Sequence, residues 1–124
     1  MNTNNKKNIV IKIGTTSIIK NDNVDISLLK SLAELIIENK NKFNFVVVTS
    51  GAVGLGATKL NYKSRPKSLK RLQVASAVGQ IELINQYEKI FKDKKMNIAQ
   101  VLITKNLIDD REQFVNTTQA LNEL

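Results

Sequence analysis

The chain has 124 residues, 42% of them hydrophobic and 24% charged, an ordinary balance for one globular domain. It contains no histidine and no cysteine, which excludes disulfides, thiolate metal sites and Ser-His or Cys-His nucleophiles within these residues. Lys, Asp, Ser, Thr and backbone N–H groups remain. That inventory suits charge stabilisation in phosphoryl transfer, and it suits passive binding equally well.

The formal charge of +8 is compatible with an anionic partner, such as nucleic acid, a membrane surface or a small molecule. Arginines are few and aromatic residues make up only 5%, whereas nucleic-acid binders use both. We therefore interpret the charge as compositional and expect neither a nucleic-acid nor a membrane partner. No apolar run reaches membrane-spanning length, and MNTNNKKN is too polar to open a secretory signal. These features favour a cytoplasmic protein with residues 1–7 as a disordered lead-in.

The first predicted strand, Asn8 to Ile13, carries its only charge at Lys12 and is followed by Gly14 and three hydroxyl residues. Ligands of open parallel sheets bind beyond the carboxyl ends of the strands, so Lys12 has a suitable position for an anion. An edge lysine with its ammonium group in solvent is the alternative. The residues alone leave both open.

A helix capped by Asp25 and a second strand over residues 45–49 follow. The order strand, helix, strand predicts a right-handed crossover and a parallel pair. Lys12 and Gly14 should then share one sheet edge with Ser50 and Gly51, at which the second strand stops.

The predicted helix from Ala52 to Leu60 begins directly after Ser50-Gly51. Its unpaired N–H groups and the positive end of its dipole favour a carboxylate or a phosphate, although many such turns bind nothing. Gly54 and Gly56 each cost this helix about 1 kcal/mol against alanine. We therefore expect a backbone or a ligand to pass close by.

A loop follows in which Lys63, Arg65, Lys67, Lys70 and Arg71 crowd the start of the next helix. This basic cluster is either a solvated loop or a contact for an acidic partner or anionic ligand. The helix, over residues 68–92, is apolar on more than one face and contains a run of small residues, which predicts association with a second subunit.

The sequence then predicts a third strand over residues 97–103 and a last helix, capped at Asp109 or Asp110, that runs to Leu124. The order of elements predicts an α/β fold class with a mainly parallel sheet. Because no strand follows the last helix, we expect residues 1–124 to form an incomplete domain.

Five segments together resemble the glutamate 5-kinases, a branch of the amino acid kinase family. The resemblance implies a three-layer αβα sandwich with a mainly parallel sheet, of which residues 1–124 are the N-terminal, substrate-side part. In chain order these segments are IVIKIGTTSI (9–18), VVVTSGAVGLG (46–56), QVASAVGQIELINQYEKIF (73–91), QVLIT (100–104) and DDREQFVNTTQAL (109–121). The AVGQ and DREQFVN elements are the ones that indicate the glutamate-specific branch.

The resemblance implies transfer of the γ-phosphate of ATP, with Mg²⁺, to the side-chain carboxylate of L-glutamate, as the first step towards proline. It implies nucleotide-phosphate contacts for Lys12, which it also makes a catalytic residue, and for a loop of Gly14, Thr15 and Thr16. It implies glutamate binding by Ser50, with backbone donors from Gly51 and Ala52. It assigns no metal ligand in this chain, and the homo-oligomer would form through the Ser68–Lys92 helix.

The family's Asn-Glu-Asn-Asp segment and nucleotide half do not occur in these residues, so the resemblance also implies that the 124-residue chain alone has no turnover. A non-catalytic association or glutamate-binding module of the same fold is the competing hypothesis, and a basic nucleic-acid-binding domain is the third. Flat, negligible binding of DNA in a salt titration would remove the third.

Overall fold

The computed structural model describes residues 6–124, apart from the side chain of Lys105. Two long strands and four long or medium helices form the body of the chain, and shorter pieces connect them. In chain order the elements are β1 (Lys7–Ile13), α1 (Thr15–Ile18), β2 (Ile19–Lys20), β3 (Asn23–Val24), α2 (Ile26–Asn39), β4 (Phe43–Thr49), α3 (Ala52–Lys59), α4 (Leu69–Asp93), α5 (Lys105–Asp109) and α6 (Arg111–Glu123).

Strand β1 begins earlier than the sequence predicts. Lys7 pairs with Phe43 in the ladder, and Lys6 Nζ donates a hydrogen bond of 2.9 Å to the carbonyl oxygen of Lys40. The prediction of a disordered lead-in is therefore wrong for Lys6 and Lys7, since both have partners. Its remainder, residues 1–5, lies outside the described residues.

Strands β1 and β4 pair in parallel over their full length, with Ile13 opposite Thr49. The ladder continues one step further, because the N–H of Ser50 donates to the carbonyl oxygen of Ile13 at 3.1 Å. Helix α2 lies between them in the chain, as a parallel crossover requires. The predicted parallel pair is confirmed.

The pleat of this pair gives it one covered and one open face. Ile9, Ile11 and Ile13 alternate with exposed residues along β1, and β4 shows the same alternation. On the opposite face Val10 is 65% exposed, and Val46 and Val48 are exposed as well. Among the described residues, helices cover only one face of the sheet.

The covered face packs against α2 and α4. The largest fully buried side chains of the core between them are Ile18, Leu29 and Leu83, which come from α1, α2 and α4. The helix starts are fixed as the sequence predicts: Asp25 Oδ1 accepts from the N–H of Leu28 at 3.0 Å. Ser68 Oγ accepts similarly at the start of α4, at 3.4 Å.

Helices α3 and α4 cross with their backbones in contact. A Cβ placed on Gly56 would lie 1.7 Å from the carbonyl oxygen of Ala75, and one on Gly79 would lie 1.8 Å from that of Ala52. The small residues of α4, predicted to face a second subunit, thus accommodate α3 of the same chain. Lys59 also forms a 3.0 Å ion pair with Glu82 across this crossing.

The β2–β3 ribbon turns through Asn21 and Asp22, whose φ angles of 51° and 60° fit a two-residue type I′ hairpin. The ribbon brings Val24 into the core beside Ile18.

The predicted third strand is wrong. Residues 97–103 form no strand in the described structure, and Val101, Leu102 and Ile103 are exposed. A strand needs a hydrogen-bonded neighbour, and this segment pairs with neither outer edge of the β1–β4 pair. The helix that follows forms as predicted, with Asp110 Oδ1 accepting from the N–H of Gln113 at 3.0 Å. Within residues 6–124, no helix is both long and apolar enough to cross a membrane.

Candidate functional site

The candidate site lies where β1 and β4 end at the same edge of the sheet. Gly14 follows the last residue of β1, and Ser50 follows the last residue of β4. The hydrogen bond from Ser50 to Ile13 joins the two ends directly. The shared edge that topology predicts is therefore present.

Ser50-Gly51 forms the turn into α3, and its backbone requires glycine. Gly51 has φ 112° and ψ −15°, in the left-handed region, and a Cβ there would lie 2.9 Å from Ile18 Cγ2. Gly51 is also the N-cap of α3, with no side-chain cap hydrogen bond. The first N–H groups of α3 therefore have no intrahelical or capping acceptor and are available to an anion.

A cavity of about 340 Å³ opens against this turn. Its walls carry backbone donors, hydroxyl groups, one amide and one guanidinium, and no carboxylate. The lining residues are Thr15, Thr49, Ser50, Gly51, Ala52, Val53, Gly54, Arg65, Ser76, Gln80 and Leu83. A cavity of this composition suits an anionic or hydrogen-bond-accepting ligand.

The structure brings four of the seven predicted site residues to this cavity. Thr15, Ser50, Gly51 and Ala52 line it. Gly14 and Thr16 flank Thr15 without lining the cavity. The predicted loop is in fact the start of α1, with Gly14 as its N-cap.

Lys12 lies outside the cavity wall. It pairs with Val48 in the ladder, is exposed, and shares the open face of the sheet with Val10. Lys12 and Ser50 thus lie close to one edge, but the lysine approaches it from the open face.

Thr49 connects the edge to the long helix. Tyr87 Oη, on α4, donates to Thr49 Oγ1 at 3.0 Å, and Thr49 Oγ1 lies 3.3 Å from the carbonyl oxygen of Ser50. Burial raises the pKa of the Tyr87 phenol, and the hydrogen bond to Thr49 offsets part of that rise. The end of β4 is therefore held by a buried, neutral phenol.

Arg65, Ser76 and Gln80 line the cavity but were not among the predicted site residues. Gln80 belongs to the AVGQ element of the resemblance, and Arg65 belongs to the basic cluster. The spacing of Ser76 and Gln80, four residues apart on α4, could have placed them on one helix face. Arg65 follows no such periodicity, because it lies in a loop.

A second, more open cavity of about 660 Å³ is formed by the loop before α4. Arg65 lines both cavities. Near it the Arg71 guanidinium lies 5.7 Å from the centroid of the Tyr62 ring, in cation–π range. The lining residues run continuously from Asn61 to Ser68, with Arg71.

Carboxylate oxygens are the protein ligands that Mg²⁺ prefers. The cavity offers none, and residues 6–124 bring no three acidic, histidine or cysteine residues together as a metal site. The described residues do not fit a protein-held Mg²⁺, and no chemical step is assigned to one here.

The architecture and the comparisons define the class of protein. Residues 7–124 match the model of the amino acid kinase family. The chain belongs to this family, which confirms the predicted α/β class: the described residues form part of a three-layer αβα sandwich with a parallel sheet.

Within the family the chain is similar to glutamate 5-kinases, which confirms the predicted resemblance. It is 46% identical over 123 residues to the glutamate 5-kinase of Prochlorococcus marinus subsp. pastoris, covering 95% of this chain and 33% of that protein. It is 39% identical to the probable glutamate 5-kinase of Schizosaccharomyces pombe, covering 98% and 31%. It is 38% identical to that of Enterococcus faecalis, covering 95% and 44%. The chain thus spans between about a third and less than half of these relatives.

Proposed function

We propose that the protein to which this chain belongs transfers the γ-phosphate of ATP to the side-chain carboxylate of L-glutamate. The products would be L-glutamyl 5-phosphate and ADP, and the reaction would be the first step of proline biosynthesis. The carrying observation is the acid-free cavity at the shared carboxyl edge of β1 and β4, lined by Ser50, the α3 N-terminus and Arg65. Similarity to glutamate 5-kinases supports this choice of substrate.

In this proposal, a glutamate carboxylate oxygen attacks the γ-phosphorus of ATP. The bond from that phosphorus to the β–γ bridging oxygen breaks, and ADP leaves with the electron pair. The reaction requires positioning and charge stabilisation more than proton transfer, which suits a site without histidine.

The residues divide into two groups by the strand to whose end they belong, β1 or β4. Lys12, Gly14, Thr15 and Thr16 contact the transferred phosphoryl group, with the Lys12 ammonium neutralising charge that develops in the transition state. Ser50 Oγ and the N–H groups of Gly51 and Ala52 orient the glutamate.

The test is formation of an acyl phosphate, trapped with hydroxylamine as the hydroxamate, in the presence of both ATP and L-glutamate. Ser50→Ala should lower the rate about a hundredfold, as loss of one positioned donor does in other enzymes. Ser31→Ala is the matched control, because Ser31 is exposed on α2, away from the cavity. Equal rates for the two variants would contradict the assignment of Ser50.

We further propose that the 124-residue chain alone has no kinase turnover. The support is its coverage of only about a third of several relatives. A non-catalytic glutamate-binding module of the same fold is the second candidate, because the cavity lined by Ser50 and the start of α3 is formed by the described residues themselves. If the full-length natural protein binds glutamate but forms no hydroxamate, this candidate is favoured over the kinase.

A homo-oligomer through α4 completes the proposal. Val74 and Ile81 lie seven residues apart on one helix face and are 43% and 61% exposed, which supports an apolar contact. Ile81→Lys should lower the mass measured by light scattering. Leu35→Lys is the control, since Leu35 is an exposed apolar residue on α2.

A further inference from the structure

The amino-acid substrate of the proposed reaction has two carboxylates, of which one is phosphorylated. We propose that Arg65 binds the other carboxylate and thereby selects substrates that carry both. This inference rests on the proposed function, because it assumes glutamate in the cavity against Ser50. It assigns a specificity role to one residue of the basic cluster.

The charge of the cavity carries the argument. Arg65 is the one charged residue among its lining residues, which include no carboxylate to neutralise it. The ion pairs formed by the described residues are Lys59 with Glu82 and Lys94 with Glu34, and neither involves Arg65. A guanidinium that lines a cavity without an internal counter-ion favours an anionic ligand group there.

The origin of Arg65 in the fold indicates which carboxylate it binds. Arg65 comes from the loop before α4, whereas Thr15 and Ser50 come from the sheet edge. The reacting carboxylate has to meet the phosphoryl group at that edge, so the second carboxylate is the one left for the loop. Pairing the nucleophilic carboxylate with a guanidinium would also make its lone pairs less available for attack.

Arginine suits this role for geometric reasons. Its planar fork can donate two parallel hydrogen bonds to one carboxylate, which adds directional selectivity to charge neutralisation. The neighbouring cations Lys63 and Lys67 line only the second cavity. They provide matched controls, since they carry the same charge in the same loop.

The experiment compares two ligands that differ at the carboxylate in question. L-Glutamate has both carboxylates, and 4-aminobutyrate retains the one that would be phosphorylated and lacks the other. Their dissociation constants are measured by titration calorimetry for the full-length natural protein and for three variants of it. The variants are Arg65→Gln, Arg65→Lys and Lys63→Gln. Thermal unfolding of each variant checks that the fold is kept.

The unmutated protein should prefer glutamate to 4-aminobutyrate by about tenfold to a hundredfold, the range for hydrogen bonds to charged groups. Arg65→Gln should remove that preference, because it should weaken the binding of glutamate and leave the binding of 4-aminobutyrate unchanged. Arg65→Lys should restore part of it, and Lys63→Gln should keep it within about twofold, as expected for a solvated charge.

The contrary outcomes are distinguishable. If the unmutated protein does not bind glutamate, the proposed function is wrong and the inference falls with it. If it binds glutamate and Arg65→Gln retains the preference, the inference alone is wrong. An equal loss of affinity for both ligands in Arg65→Gln also contradicts the inference, because Arg65 would then act on the carboxylate that both ligands share, or on the fold.

Discussion

Tyr87, in the C-terminal half of α4, donates its phenolic hydrogen bond to Thr49, the last residue of β4, at 3.0 Å. Thr49 immediately precedes Ser50, so this one contact joins the longest helix to the edge that carries the candidate site. Only 5% of the Tyr87 surface is exposed, and its ring stacks with that of Phe91. The position of the turn at Ser50 therefore depends on how α4 packs against the end of β4.

Tyr87 should make stability depend on pH in alkaline solution. Burial raises the folded-state pKa of its phenol above the unfolded value of about 10, so above that pH the folded state binds more protons. Its contribution is complete below pH 10 and is lost as pH rises towards the folded pKa. The free energy of unfolding, measured by urea titration from pH 8 to 11, should fall more steeply for the unmutated protein than for Tyr87→Phe. Identical slopes would show that burial does not perturb this phenol.

Two glycines of one helix should respond oppositely to the same substitution. Gly56→Ala places a methyl group against the Ala75 carbonyl and should destabilise the fold by about 3 kcal/mol or more. Gly54→Ala meets no atom within 4 Å and should stabilise α3 by about 1 kcal/mol. Urea denaturation measures both. A Gly56→Ala variant as stable as Gly54→Ala would contradict the close crossing of α3 and α4.

Gly51→Ala should weaken both the fold and the site. The left-handed backbone costs a non-glycine residue about 1–2 kcal/mol, and the added methyl group also meets Ile18. The turn can relieve this strain only by moving the N–H groups that line the cavity. We therefore expect a lower unfolding midpoint together with weaker glutamate binding, measured by calorimetry. Unchanged binding would mean that the turn does not contact the ligand.

Lys12→Met should separate activity from stability. Lys12 is exposed on the open face of the sheet, so the free energy of unfolding should change by no more than about 0.5 kcal/mol. If Lys12 contacts the transferred phosphoryl group, the rate of hydroxamate formation should drop about a hundredfold or more. Lys20→Met, an exposed lysine of β2, is the control. A Lys12→Met rate within threefold of the control would remove Lys12 from the proposed mechanism.

Local signals in the sequence predicted most of the frame. The caps at Asp25 and Asp110 depend on side chains a few residues from the groups they bond, and the parallel pair follows from the strand-helix-strand order. The shared edge of Ser50 and Gly14 follows from that pairing. These features need no knowledge of distant contacts.

Features that depend on distant partners could not be predicted. Residues 97–103 have strand composition, but a strand forms only where a neighbouring edge accepts it. The small residues of α4, Gly79 among them, were predicted to contact another subunit, because the sequence does not show which backbone approaches them. Arg65 lies in the loop before α4, where neither helical nor strand spacing predicts which way a side chain points.

The crossing of α3 and α4 has a mechanical consequence. Since main chain touches main chain at Gly56 and Gly79, no side chain between the helices can change rotamer to absorb a displacement. At these two points a displacement of α4 has to be met by movement of the α3 backbone. A shift of α4 should therefore also move the start of α3, whose first residues line the cavity.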